Sequence, residues 1–220
     1  MISTLRNIKA VALAGFIGLG LGIQYGEVRA TASEVIVVAG GCFWCVEADF
    51  ERVQGVTGVV SGFTGGTVEN PTYKQVVRGG TGHYEAVQIF FDSSQVSMDQ
   101  LYSMFLRSVD PTDAGGQFCD RGAAYRTAIF VYNSVERDAA EAALGSAQEE
   151  LGQTIVTPIL EGGDFFPADA YHQDYYKQSS VILTRFGPKS KAKAYKAYRE
   201  ACGRDDRVRQ LWGAKAPFAS

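Results

Sequence analysis

The chain has 220 residues, 46% hydrophobic and 20% charged, with a net charge of −3. That balance excludes a disordered chain, and the acidic net charge excludes binding driven by nucleic-acid phosphates. Four cysteines are too few for a disulfide scaffold of this length.

Residues 1–32 read as an export signal. Arg6 and Lys9 precede an uncharged apolar run from Ala10 to Ile23, and Ala30-Thr31-Ala32 offers a small-residue cleavage site before Ser33. The run falls short of the roughly 20 residues a spanning helix needs. An uncleaved N-terminal anchor is the other reading. Both place residues 33–220, read as one domain, outside the cytoplasm, in a periplasmic or other extracytoplasmic space.

Glu34–Ala39 is a short β-branched run, a buried strand that Gly40-Gly41 ends. Phe43, Val46, Phe50 and Val53 then fall at helical spacing, so a helix starts at or near Cys42. Val56–Phe63 and Glu85–Phe91 read as strands, separated by a polar loop with Asn70-Pro71-Thr72-Tyr73. Ser97 and Gln100 form a capping box ahead of Leu101, Met104 and Phe105. Asp110–Gly122 lacks any period and reads as loop, and Tyr125–Tyr132 reads as a strand.

Ser134 opens an Ala- and Glu-rich helix ending near Gly152, and Thr154–Leu160 is a further strand. Residues 161–180 are aromatic-rich and aperiodic. Lys189–Ala201 reads as a solvated Lys/Ala helix, and Cys202–Ser220 as irregular. The order β-α-β-β-α-β predicts an α+β, two-layer ferredoxin-like core with a mixed sheet. An irregular C-terminal extension follows, expected to be flexible from about residue 187.

Cys42 follows a strand and two glycines and opens a helix. Free N–H groups and the helix dipole there favour a thiolate, as for an activated nucleophile. Burial as a small apolar residue is the plainer alternative. With Cys45 it forms C-x-x-C, the pattern of a thiol–disulfide pair. Cys119, Cys202, His83 and His172 are scattered and give no zinc spacing.

These residues carry a resemblance. Gly40-Gly-Cys-Phe-Trp-Cys-Val-Glu47 resembles the signature of the peptide methionine sulfoxide reductase A family. Ser61–Gly66, Asn70–Tyr73, Thr81–Val87, Asp110-Pro111, Cys119–Arg126, Phe165-Phe166 and Tyr171–Tyr176 resemble its later motifs in order. The likeness spans roughly residues 34–178.

The resemblance implies an enzyme that reduces the S epimer of methionine sulfoxide, free or in proteins, and the N-terminal signal implies that it is exported. Cys42 is then the nucleophile and Glu85 the acid. Tyr73 and Tyr125 bind the oxygen, Phe43 and Trp44 hold the methyl group, and Asp120 helps anchor the substrate. A second thiol closes a disulfide on the oxidised Cys42. The family draws it from the C-terminal region, which favours Cys202 over Cys45. Cys45 and Cys119 depart from the usual Gly and Asn, and Cys119 is expected to be buried near Asp120. Glu47 belongs at most behind the site, and His83 and His172 in structural or substrate-orienting places.

No metal, nucleotide or flavin is implied, a thioredoxin-like protein supplies electrons, and the chain is taken as a monomer. Two rivals remain: a general disulfide oxidoreductase using Cys42 and Cys45, and a secreted binding domain built on residues 161–178.

Overall fold

The computed structural model describes residues 33–184 and 187–219. The reading of residues 1–32 as an export signal lies outside them.

The first strand, β1 (Ser33–Gly40), is central, and its Ile36–Ala39 are buried on both faces. Helix α1 (Phe43–Phe50) follows after the two glycines, then β2 (Val56–Thr64), α2 (Tyr73–Arg78) and β3 (Tyr84–Asp92). Helix α3 (Met98–Leu106) starts at the predicted capping box, with both Ser97 and Gln100 bonds formed. Two-residue strands β4 (Gly116–Gln117) and β5 (Asp120–Arg121) pair within the predicted loop, and β6 (Thr127–Val131) returns to the main sheet. Helix α4 (Ser134–Leu151) has Asn133 rather than Ser134 as its cap, its side chain accepting from Glu136 N–H.

Then come β7 (Ile159–Glu161), β8 (Phe166–Pro167), a hairpin of β9 (Val181–Thr184) and β10 (Gly187–Ser190), α5 (Lys191–Ala201) and α6 (Arg204–Trp212).

The sheet order is β7-β6-β1-β3-β2-β8. Its inner four strands, β6-β1-β3-β2, are antiparallel neighbours in the split β-α-β arrangement, and the parallel β6–β7 pair makes the sheet mixed. The α+β ferredoxin-like expectation therefore holds. Helices α1, α3 and α4 cover one face through Val46, Phe50, Leu101, Phe105, Ala140 and Ala147. The other face is a smaller patch of Val37, Ala39, Ala86 and Phe130.

Four expectations are corrected. Cys202–Ser220 is not irregular: α6 follows Gly203, and Val208 and Trp212 reach the core on one helical face. Residues from 187 on, expected as a flexible tail, carry β10, α5 and α6. The polar loop holds α2, because Thr72 and Gln75 form a capping box. The strand read over Thr154–Leu160 is confined to Ile159–Glu161, since Pro158 cannot donate and the buried Thr157 hydroxyl pairs with Thr127 instead (2.8 Å).

Two glycines aim the turn before α1. Gly41 has φ +79°, and a Cβ there would lie 2.5 Å from Gln117 Cβ. Gln117 is itself pinned, its side chain exchanging 2.8 Å bonds with the backbone of Asp110. Gly41→Ala is therefore expected to destabilise by at least about 2 kcal/mol, read from urea unfolding, and to displace Cys42.

Candidate active site

Strand pairing and helix starts bring the predicted residues together. Cys42 is the N-cap of α1, so Phe43 and Trp44 leave from the same point. On β3, Glu85 lies opposite Phe63 of β2. The Thr72 cap sends Tyr73 off the start of α2, and a 3-10 turn over Ala123–Tyr125 delivers Tyr125. Cys42, Phe43, Trp44, Tyr73, Glu85, Asp120 and Tyr125 line one cavity of about 100 Å³. Tyr198 of α5 completes its wall.

Glu85 is 1% exposed. Its Oε2 accepts from Phe43 N–H at 3.1 Å, and its Oε1 has no partner. Burial pushes its pKa up to about 8, and the Phe43 amide offsets only part of that. The carboxyl is thus mostly protonated at neutral pH and has a proton to donate. Tyr73 and Tyr125 are raised, chiefly by burial and then by the nearby Glu85, so both keep their hydroxyl protons.

The expectation of a dipole-stabilised thiolate at Cys42 is corrected. The first N–H of α1 is taken by Glu85. Burial, then the hydrogen-bonded Cys45 thiol, then Glu85 and Asp120 push the Cys42 pKa up. Cys45 is lowered by its bond with Cys42, and then by Arg204 and Arg199. The two thiols are buried, free and in contact, in one cluster with Tyr175 and Tyr195.

Cys202 does not lie free beside Cys42. It forms a disulfide with Cys119, which is exposed rather than buried. The substitution of Cys at 119 is what makes this bond available. Cys202 stands at the end of α5 on the face of Tyr195 and Tyr198, residues that pack on the Cys42–Cys45 pair.

The predicted supporting residues fall where expected. Glu47 is buried behind the cavity, accepting from Ser61 Oγ (3.2 Å) and Asp174 N–H (2.9 Å), and burial raises its pKa to about 7. His83 is structural: its Nδ1 accepts from Gly66 N–H (3.1 Å) and its Nε2 donates to Val68 O (2.7 Å). His172 stacks on Tyr73 at 4.2 Å and on Trp44 at 5.7 Å, backing the aromatic wall.

The residues not assigned a role from sequence come from the C-terminal helices and from the 3-10 turn at Tyr175–Lys177. Tyr198 donates to Asp120 Oδ2, and Tyr175 stacks on Trp44 with centroids 3.7 Å apart. Arg199 holds the buried Asp49 at 2.7 Å. Arg204 is buried, donates to Gly40 O at 3.2 Å and lies over the Phe118 ring. The reading of Lys189–Ala201 as a solvated helix is corrected at Lys191. That residue is buried, its Nζ donating to Tyr171 O (2.7 Å) and Gln178 Oε1 (2.8 Å). The spacing of Tyr195, Tyr198 and Cys202 on one helical face was the available signal.

Among the described residues, Glu47, Glu51 and Asp174 form a cluster of carboxylates close enough for a metal. Lys177 and Tyr176 engage Glu51, and Ser61 engages Glu47, so the cluster is already bonded within the protein.

A dithiol at the head of a helix, facing a carboxyl that keeps its proton, is the equipment of a thiol-dependent oxidoreductase. Comparison with known proteins narrows that class. Residues 34–210 match the family model described as peptide methionine sulfoxide reductase, and the chain belongs to this family. It is 43% identical over 188 residues to peptide methionine sulfoxide reductase MsrA 2 of Rhizobium meliloti, covering 86% of this chain and 88% of that one. It is 42% identical over 184 residues to MsrA of Bacillus subtilis, covering 83% and 97%. Among solved structures, methionine sulfoxide reductase A of Corynebacterium diphtheriae aligns with a TM-score of 0.60 at 28% identity, covering 71% and 84%. Reduced Mxr1 of Saccharomyces cerevisiae aligns with 0.62 at 26% identity, covering 65% and 83%. The protein is thus an MsrA-type methionine sulfoxide reductase, an oxidoreductase.

Proposed function

We propose that the enzyme reduces the S epimer of methionine sulfoxide, free or in oxidised proteins, with Cys42 as nucleophile and Glu85 as acid. The observation that carries this is the single cavity where the buried Glu85 carboxyl, with its unpartnered oxygen, meets the Cys42 thiol. The methyl group lies against Phe43 and Trp44, the oxygen points to Glu85, Tyr73 and Tyr125, and Cys42 meets the sulfur. Three fixed attachments around a pyramidal sulfur accept one epimer and misplace the other.

Glu85 protonates the sulfoxide oxygen as Cys42 sulfur bonds to the substrate sulfur; that bond and the substrate S–O bond then break together as the hydroxyl passes to Cys42. The oxygen ends on Cys42 as a sulfenic acid, and the thiol proton of Cys42 replaces the one Glu85 gave. Methionine leaves. Cys45, in contact with Cys42, then attacks the sulfenic sulfur, closing a disulfide and releasing water. This puts Cys45 before Cys202, reversing the order favoured by the resemblance.

Cys202 then acts one step later. A reduced Cys119–Cys202 pair passes two electrons to the Cys42–Cys45 disulfide and becomes the disulfide itself. The structure's cysteine state, two buried free thiols and one disulfide with an exposed member, fits the end of that exchange. A thioredoxin-like dithiol protein then reduces Cys119–Cys202. Export, read from residues 1–32, belongs to the same proposal, so that donor lies outside the cytosol. We treat the monomer as part of it.

Single-turnover reduction of the two separated epimers of a blocked methionine sulfoxide, without reductant, tests this. Methionine from the S epimer alone, with two thiols lost, and no product from Cys42→Ser, is the expected result. Product from Cys42→Ser, or none from either epimer, overturns it.

A further inference from the structure

The catalytic cavity holds little more than one side chain. Beside it lies a larger groove of about 510 Å³, within the roughly 300–1,000 Å³ typical of ligand clefts. Trp44 and Tyr198 line both, so the two adjoin at those rings. The groove is walled by Tyr175, Ile182 of β9 and Ala197 of α5, with the Cys119–Cys202 disulfide along it. Strand alternation turns Ile182 inward while Val181 and Leu183 face solvent at 71% and 84% exposure. Among the described residues of the lining, Lys189 alone carries a full charge.

We propose that this groove binds the residue next to the oxidised methionine in a substrate polypeptide, and that it favours an apolar side chain there. The inference rests on the reductase reading above. A sulfoxide side chain seated against Cys42 requires its main chain to leave over the cavity rim, and Trp44 and Tyr198 form that rim on the groove side. A neighbouring Leu or Ile entering the groove gains burial against Trp44, Tyr175 and Ile182, whereas a carboxylate or ammonium loses water there with little in return. The enzyme thereby selects sulfoxides in apolar, extended segments, such as those exposed by partly unfolded proteins.

The test is single-turnover reduction by the protein with its Cys119–Cys202 disulfide intact and no reductant present. Substrates are the blocked S-sulfoxide amino acid and S-sulfoxide peptides with Leu, Ala or Glu at either neighbour. A Leu neighbour on one side is expected to raise the second-order rate about tenfold over Ala, the gain from partial burial of one apolar side chain. Ile182→Glu and Ala197→Glu should erase that preference while reducing the blocked amino acid at the unaltered rate. Val181→Glu, on the outward face, should keep it.

No preference in the unaltered protein, or a preference that survives both groove variants, overturns the proposal. So does a defect of those variants seen only in turnover driven by a dithiol protein, which assigns the groove to the reductant. Failure to reduce even the blocked amino acid sinks the reductase reading instead.

Discussion

Glu85→Gln is expected to slow sulfoxide reduction by about 10²–10⁴-fold while making the protein more stable. The amide keeps the shape and can still receive the Phe43 N–H bond, but it has no acidic proton for the departing oxygen. The stability change follows from the same burial. The carboxyl ionises near 4.5 in an exposed chain and near 8 in the folded protein. Between those values the folded state binds more protons than the unfolded one. The contribution of Glu85 to stability is therefore full below about pH 4.5 and declines as pH rises to about 8.

Glutamine has nothing to ionise, so the variant's advantage in Tm should widen from about pH 5 to about pH 8. Glu47, raised to about 7, titrates in both proteins and cancels in the difference. The rate of the unaltered enzyme should fall as pH passes about 8, when the acid loses its proton. Melting curves across that range, alongside single-turnover rates, check both halves. A Tm gap that does not grow with pH contradicts a buried, proton-holding Glu85.

Cys45→Ser is expected to leave the first turnover intact and to lower steady-state turnover with a dithiol reductant by at least about tenfold. The reason is burial. Cys42 and Cys45 lie in contact beneath Trp44, Tyr175 and Tyr195. Without Cys45, the sulfenic acid on Cys42 waits for a thiol that must reach a covered site. Cys202→Ser, by contrast, should still close the Cys42–Cys45 disulfide and be impaired only in its later reduction. Thiol counts after one turnover separate the variants: two lost in Cys202→Ser and one in Cys45→Ser. Equal steady-state loss with no difference in those counts contradicts the order proposed here.

The four inner strands of the main sheet and the first three long helices were legible because their signals are local. Val35–Ala39 is a β-branched run, Ser97 and Gln100 cap each other across one turn, and Phe43, Val46 and Phe50 repeat at helical spacing. Seven residues named from sequence meet in one cavity, although they come from five separate segments. Periodicity did not bring them together; the motif order did, since a shared fold fixes which strand ends and helix starts converge.

The far wall was not legible in the same way. Arg204, Asp206, Arg207 and Arg209 make α6 look solvated, although Val208 and Trp212 bury one face. Lys191 reads as surface until Tyr171 O and Gln178 Oε1 are seen to receive its protons. Tyr198 and Arg204 touch the site through long-range packing that no short window contains. The Cys119–Cys202 bond joins residues 83 apart in sequence, and disulfide pairing does not follow from sequence spacing alone.

In the proposed reaction Cys42 takes the sulfoxide oxygen. Trapping tests it most directly: Cys45→Ser protein reacted with one equivalent of the S epimer, quenched with a 1,3-diketone specific for sulfenic acids, and mapped by peptide mass spectrometry. One adduct per methionine formed is expected, all of it on the peptide bearing Cys42. Methionine formed with no adduct, or with the adduct on Cys119 or Cys202, would contradict it.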